Sequence, residues 1–119
     1  MGGVDEDLLV TSVRSVTSGE PGRSLNEARR HHFVIDDSAV AEEITPGESF
    51  LAGISGCGVL LVERRARETA VPLRRAEAWI AGSRLRSDTS RFTGIDIRFR
   101  LSGVDEAQAE ELVAHYRRH

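Results

Sequence analysis

The chain has 119 residues, 39% of them hydrophobic and 29% charged, with a formal net charge of −3. Those values suit a single globular domain with its own core and exclude a disordered tail or a fibrous repeat. The basic residues are all arginine, so Schiff-base and lysine-base chemistry is excluded. No block of like charge runs long enough for a nucleic-acid tail, and no apolar run is long enough for a membrane span. The acidic start MGGVDEDLL has no signal-peptide pattern, so the expected location is cytoplasmic. A single cysteine, Cys57, rules out an internal disulfide.

In chain order, LLVTSVRSV (8–16) reads as a first strand and SGEPGRS (18–24) as a loop or hairpin turn. LNEARRHHFVI (25–35) reads as one further strand, with Phe33 and Ile35 on one face. DDSAVAEEI (36–44) is an acidic connection. Thr45, Pro46 and Glu48 then form a helix start: an N-cap, a proline at the first helical position and a T-x-x-E capping box. From Pro46 to Val62 only Glu48 is charged, so the helix calls for burial on all sides. Phe50, Ile54, Cys57 and Leu61 follow helical spacing, and Gly53, Gly56 and Gly58 suggest the close approach of another backbone. Pro72 bounds the helix at about 25 residues, roughly 37 Å.

LRRAEAWIAG (73–82) reads as a strand and 84–91 as a hairpin loop. In FTGIDIRFRLSG (92–103) the apolar Ile95, Ile97, Phe99 and Leu101 alternate with Asp96, Arg98 and Arg100, a strand pattern. VDEAQAEELVAHYRRH (104–119) is an amphipathic helix with Ala109, Leu112, Val113 and Tyr116 on its apolar face. The predicted order is β-β-α-β-β-α, an α+β domain with antiparallel sheet and one deeply buried helix.

Taken alone, Cys57 reads as a small buried hydrophobe or as a reaction centre, with the former favoured because it lies far from the helix N-terminus. Glu48 is accounted for by the capping box. His31 and His32 are neighbours on a strand and point to opposite faces, so they do not share an ion readily. His115 and His119 stand one helical turn apart, but no acidic motif accompanies them. No metal site, cofactor motif, phosphate loop or nucleophile elbow is expected.

TPGESFLAGISGCGVLLVERRARETAVPL, preceded by HHFVIDD and followed by a strand and helix from Phe92 onward, resembles the OsmC/Ohr family over about residues 25–119. The matched pattern is a proline, a nearby acidic residue, a small-residue apolar run and a cysteine: Pro46, Glu48 and Cys57. The resemblance implies a single OsmC-like domain over 1–119: antiparallel sheets around a long buried central helix, in an intertwined homodimer. It implies a thiol-dependent reductase of organic hydroperoxides, part of a peroxide stress response, with an external dithiol as reductant and no cofactor. In that chemistry Cys57 attacks the peroxide as thiolate, an arginine (Arg29 or Arg30) stabilises it, and Glu48 orients the arginine.

The chain departs from the classical peroxidases in three places. Their carboxylate falls one position earlier, where this chain has Gly47, so Glu48 matches other OsmC-like branches. AEEI replaces the glycine pair before the central helix. The second, resolving cysteine of the family, commonly Cys-Pro before a last strand, would begin near His119, where the sequence stops, so either the sequence ends early and the domain is incomplete at its C-terminus or this member has lost that thiol. Two further readings therefore accompany the enzyme: a dimeric module that holds a small hydrophobic ligand, and a structural relic of the fold.

Overall fold

The computed structural model describes residues 7–118. The chain divides into two compact units, Met1–Ser49 and Phe50–His119.

The first unit is a three-stranded antiparallel sheet: β1 (Arg14–Thr17), β2 (Arg23–Ala28) and β3 (His31–Asp36), in the order β1-β2-β3. The stretch 25–35, expected as one strand, is instead a hairpin that turns at Arg29 and Arg30. Arg29 supplies the required left-handed backbone, with φ at 56°. Nothing in the residue types announces that turn, because the usual Gly, Asn or Pro is missing. The first strand is also shorter than expected. Arg14 pairs with Glu27 near the end of β2, so residues before Arg14 run out of partner, and 8–13 stay unpaired with Leu8, Leu9 and Val10 exposed.

Among the described residues of this unit, the buried ones are polar. Asn26 accepts from the Ser15 hydroxyl at 2.6 Å and donates to the Phe33 carbonyl at 3.2 Å. Asp36 is buried completely. Arg23 grips it with two bonds, Nε to Oδ1 at 2.7 Å and Nη2 to Oδ2 at 2.9 Å. The backbone N–H groups of Glu42 and Glu43 donate to the same Oδ2 at 3.1 and 2.8 Å. These bonds fasten the connection 37–44 to the end of β3.

Helix α1 (Pro46–Glu68) begins in the first unit and continues through the second. Its capping box is formed. The Glu48 N–H donates to Thr45 Oγ1 at 3.3 Å, and the Thr45 N–H donates to Glu48 Oε1 at 2.9 Å. The helix spans 23 residues, close to the expected length.

The second unit adds a hairpin, β4 (Arg75–Ser83) and β5 (Gly94–Ser102), paired in full antiparallel register from Arg75↔Ser102 to Ser83↔Gly94. Gly103, with φ at 90°, turns the chain out of β5; a Cβ there would come 2.7 Å from the Pro72 carbonyl oxygen. Asp105 and Gln108 then cap α2 (Glu106–Arg118) reciprocally, at 2.8 and 3.0 Å. Val62 and Ala66 of α1 and Leu112 of α2 form the core, with Ala76, Phe99, Leu101 and Tyr116 packed around them. Phe99 meets Tyr116 edge-on, with centroids 5.1 Å apart. Arg65 and Glu111 link the two helices at 3.0 Å. The order is therefore β-β-β-α-β-β-α, an α+β chain with antiparallel sheets. Among the described residues no helix is long and apolar enough to cross a membrane.

Candidate functional site

Helix α1 does not bury itself on all sides within this chain. Gly58, Val62 and Ala66 face inward. Phe50, Gly53, Cys57 and Leu60 are exposed. At about 100° per residue these four share one side of the helix. Within the single chain Cys57 is exposed, whereas burial on all sides was expected of a helix packed between two chains.

The glycines divide in the same way. A Cβ on Gly58 would meet the Phe99 ring at 3.1 Å, so this glycine lets β5 approach the helix. Nothing lies within 4 Å of a Cβ built on Gly53 or Gly56. Those two open an empty track beside Cys57, and no contact among the described residues explains them.

Of the other expected site residues, Glu48 serves the helix start. Its carboxylate accepts the Thr45 N–H and the Thr45 hydroxyl at 2.9 and 3.0 Å, and these bonds hold it below the usual carboxylate range. Nine positions along a helix are about 13.5 Å and two and a half turns, so Glu48 and Cys57 project from opposite sides of α1. Arg29 and Arg30 form the β2–β3 turn, are exposed, and have no carboxylate partner among the described residues. The arginine that does carry a network is Arg23, which the sequence did not single out. Its spacing from Asp36 becomes meaningful only once the β2–β3 register makes the two cross-strand partners.

His32 faces Glu27 across the hairpin at 3.8 Å. The pair His115 and His119 cannot be followed, since His119 lies outside the described residues. Among the described residues no group of three or more His, Cys, Asp or Glu is placed to hold a metal ion.

A shallow groove of about 350 Å³ lies between α1 and the β4 strand in the second unit, lined by Ala52, Ser55, Gly56, Val59 and Ala76 to Trp79. Near the start of α1, Phe50 stacks on Phe92 of the β4–β5 loop, with centroids 5.9 Å apart. Chemically, this side of α1 offers an accessible thiol in an apolar, small-residue surface with aromatic rings two turns away.

No protein-family model matches the sequence, and no curated protein does. Solved structures match the fold. An OsmC-like protein from Mycoplasma pneumoniae superposes with a TM-score of 0.82 at 14% identity, covering 93% of this chain and 82% of that one. An organic hydroperoxide resistance protein, OsmC, from Legionella pneumophila gives 0.71 at 17% identity, covering 93% and 84%. The organic hydroperoxide resistance protein OhrB of Bacillus subtilis gives 0.58 at 19% identity, covering 92% and 84%.

Proposed function

Because this chain has the OsmC/Ohr fold, we propose that it is a peroxide stress protein of that family, working as a thiol-dependent reductase of organic hydroperoxides. The observation that carries the reading is the placement of Cys57 in the middle of the central helix of this fold, on its outward side. Two fold neighbours are named for organic hydroperoxide resistance.

The step begins with the Cys57 thiolate. Its sulfur attacks the outer oxygen of a hydroperoxide, an S–O bond forms and the O–O bond breaks. The sulfur is oxidised to sulfenic acid, and the peroxide is reduced to an alcohol whose oxygen takes up a proton. An external dithiol then returns the sulfenic acid to the thiol. Arg29 and Arg30 are the candidates for the cation beside the thiolate. Glu48 sets the start of α1 and so the place of Cys57 along it. Glu48→Gln keeps the capping bonds and removes the charge; slower Cys57 oxidation in that variant would assign Glu48 a direct electrostatic part.

The protein works as a homodimer in the cytoplasm. The empty track at Gly53 and Gly56, with Leu60 exposed between them and the charged end of α1, suits the close approach of a second α1.

The test follows peroxide consumption alongside the mass of the intact chain, with an organic hydroperoxide and a small dithiol. The 119-residue chain should turn over slowly and lose activity over cycles, because its sulfenic acid has no second cysteine to form a protective disulfide and over-oxidises to sulfinic acid. Cys57→Ser should fall to background. Equal consumption by Cys57→Ser would remove the mechanism and favour a module that binds a small hydrophobic ligand.

A further inference from the structure

The hairpin that carries Arg29 and Arg30 is tied to the start of α1 by one buried ion pair. The β2–β3 ladder runs through six pairs, from Ala28↔His31 beside the turn to Arg23↔Asp36 at the other end. The candidate cations stand at one end of this ladder. At the other end the chain leaves β3 for the helix that carries Cys57.

The connection between them has little apolar contact to hold it, since residues 37–39 and 41–44 are exposed. It is held by hydrogen bonds to the sheet, and these converge on Asp36. The Asp36 N–H donates to the Ile44 carbonyl at 2.9 Å, one residue before the helix cap Thr45. Its Oδ2 accepts the N–H groups of Glu42 and Glu43, and Arg23 of β2 grips both of its oxygens. One further bond, from the Asp37 N–H to the Gly22 carbonyl at 2.7 Å, lies beside it. A single carboxylate thus joins β2, the end of β3 and the backbone that leads into α1.

Asp36 is completely buried and Arg23 mostly so. Taking such a pair out of water costs about what its attraction gives back, and an apolar pair of similar volume is often as stable. An apolar pair cannot, however, accept two backbone N–H groups in a fixed direction. The position that the pair imposes therefore explains it better than any gain in stability.

We propose that Asp36 and Arg23 are positioning residues for the peroxide step. They hold the first turn of α1 at a fixed angle to the β2–β3 hairpin, and so keep Arg29 or Arg30 where it stabilises the Cys57 thiolate. The proposal rests on the reading of Cys57 as the peroxide-reacting thiol. It adds two residues that act through the hairpin and the helix rather than on the peroxide.

The experiment compares the unmodified chain with Arg23→Lys and with the double variant Arg23→Met, Asp36→Leu. Two quantities are read. One is the thiolate ultraviolet absorbance against pH, with Cys57→Ser as the blank. The other is the rate of Cys57 oxidation by an organic hydroperoxide at neutral pH, from intact mass after rapid mixing. The double variant should stay folded, with a urea midpoint close to that of the unmodified chain. The N–H groups of Glu42 and Glu43 then turn to water, which their exposure allows. Its thiol should nevertheless titrate about one unit higher and oxidise about tenfold more slowly. Arg23→Lys keeps the charge but not the two-pronged grip, and should fall between the two. Leu101→Ala, which loosens the core of the second unit, should leave the thiol titration in place.

An unchanged titration and rate in both the double variant and Arg23→Lys would overturn the proposal, and would leave the peroxidase reading intact if the unmodified chain is oxidised. If the hydroperoxide does not oxidise Cys57 in the unmodified chain, the peroxidase reading falls. The titration then decides the positioning by itself: a thiol raised in the double variant keeps it, and an unmoved thiol ends it.

Discussion

The two sides of α1 differ less in residue type than in what they meet. The inward side sets Val62 and Ala66 against Leu112, and its glycine, Gly58, admits the Phe99 ring. The outward side presents Phe50, Gly53, Cys57 and Leu60 to solvent, and its glycines meet nothing within 4 Å. The same kind of surface is thus finished on one side and unfinished on the other. An apolar helical face with open glycines has no use for a lone chain, since each mid-helix glycine costs about 0.5–1 kcal/mol relative to alanine. That difference is the reason the outward side is proposed to meet a second copy.

The largest effect expected from this contrast is in the core. Leu112→Ala should lose about 2–5 kcal/mol in urea unfolding, whereas Leu60→Ala, 60% exposed in the chain, should change the stability of the monomer by no more than about 0.5 kcal/mol. Comparable losses at both positions under monomeric conditions would erase the distinction between the two sides.

The glycines sharpen it. Gly58→Ala should destabilise the chain by about 1–3 kcal/mol from overpacking, less the helix gain, because Phe99 is braced by Tyr116 and has little room to retreat. Gly53→Ala should stabilise the isolated chain by about 0.5–1 kcal/mol and weaken the dimer. A gain in both would show that no second helix approaches there.

Thr45→Ala tests the helix start, with an expected loss of about 1 kcal/mol. The acid side of the stability curve tests the same region and the first unit together. Arg23 beside Asp36, and the bonds from Thr45 to Glu48, hold both carboxyls below their ordinary range. Their contribution is complete above the unfolded carboxylate pKa of about 4 and is lost as pH falls through the depressed values. Unfolding free energy should therefore decline steadily below about pH 4, and more gently in Asp36→Asn once its lower starting stability is allowed for. Stability that is flat from about pH 5 to about pH 2 would contradict the network.

The start of α1 and much of the second unit were legible in the sequence. The capping box of Thr45 and Glu48, the alternation Ile97, Phe99, Leu101 and the apolar face of Leu112 and Tyr116 are local patterns, and local patterns survive folding. The first unit was read less well for a physical reason. Its buried residues are Asn26 and Asp36, so hydrophobic periodicity carries little information there, and its tight turn falls on two arginines. The site was half legible. Cys57 and its place on a long helix were visible, but the side it faces depends on what α1 packs against. The Phe50–Phe92 stack joins the start of α1 to the β4–β5 loop and has no local signature.

The central claim is that the outward side of α1 holds a second copy. Sedimentation velocity across a dilution series through the micromolar range tests it, on the unmodified chain and on Gly56→Leu. The unmodified chain should sediment as a dimer and dissociate only on strong dilution. Gly56→Leu should be a folded monomer, because a Cβ there meets nothing within 4 Å and the rest of the side chain takes up the space of the track. A stable, well-folded monomer of the unmodified chain at micromolar concentration would contradict the account, as would a dimer that Gly56→Leu leaves intact.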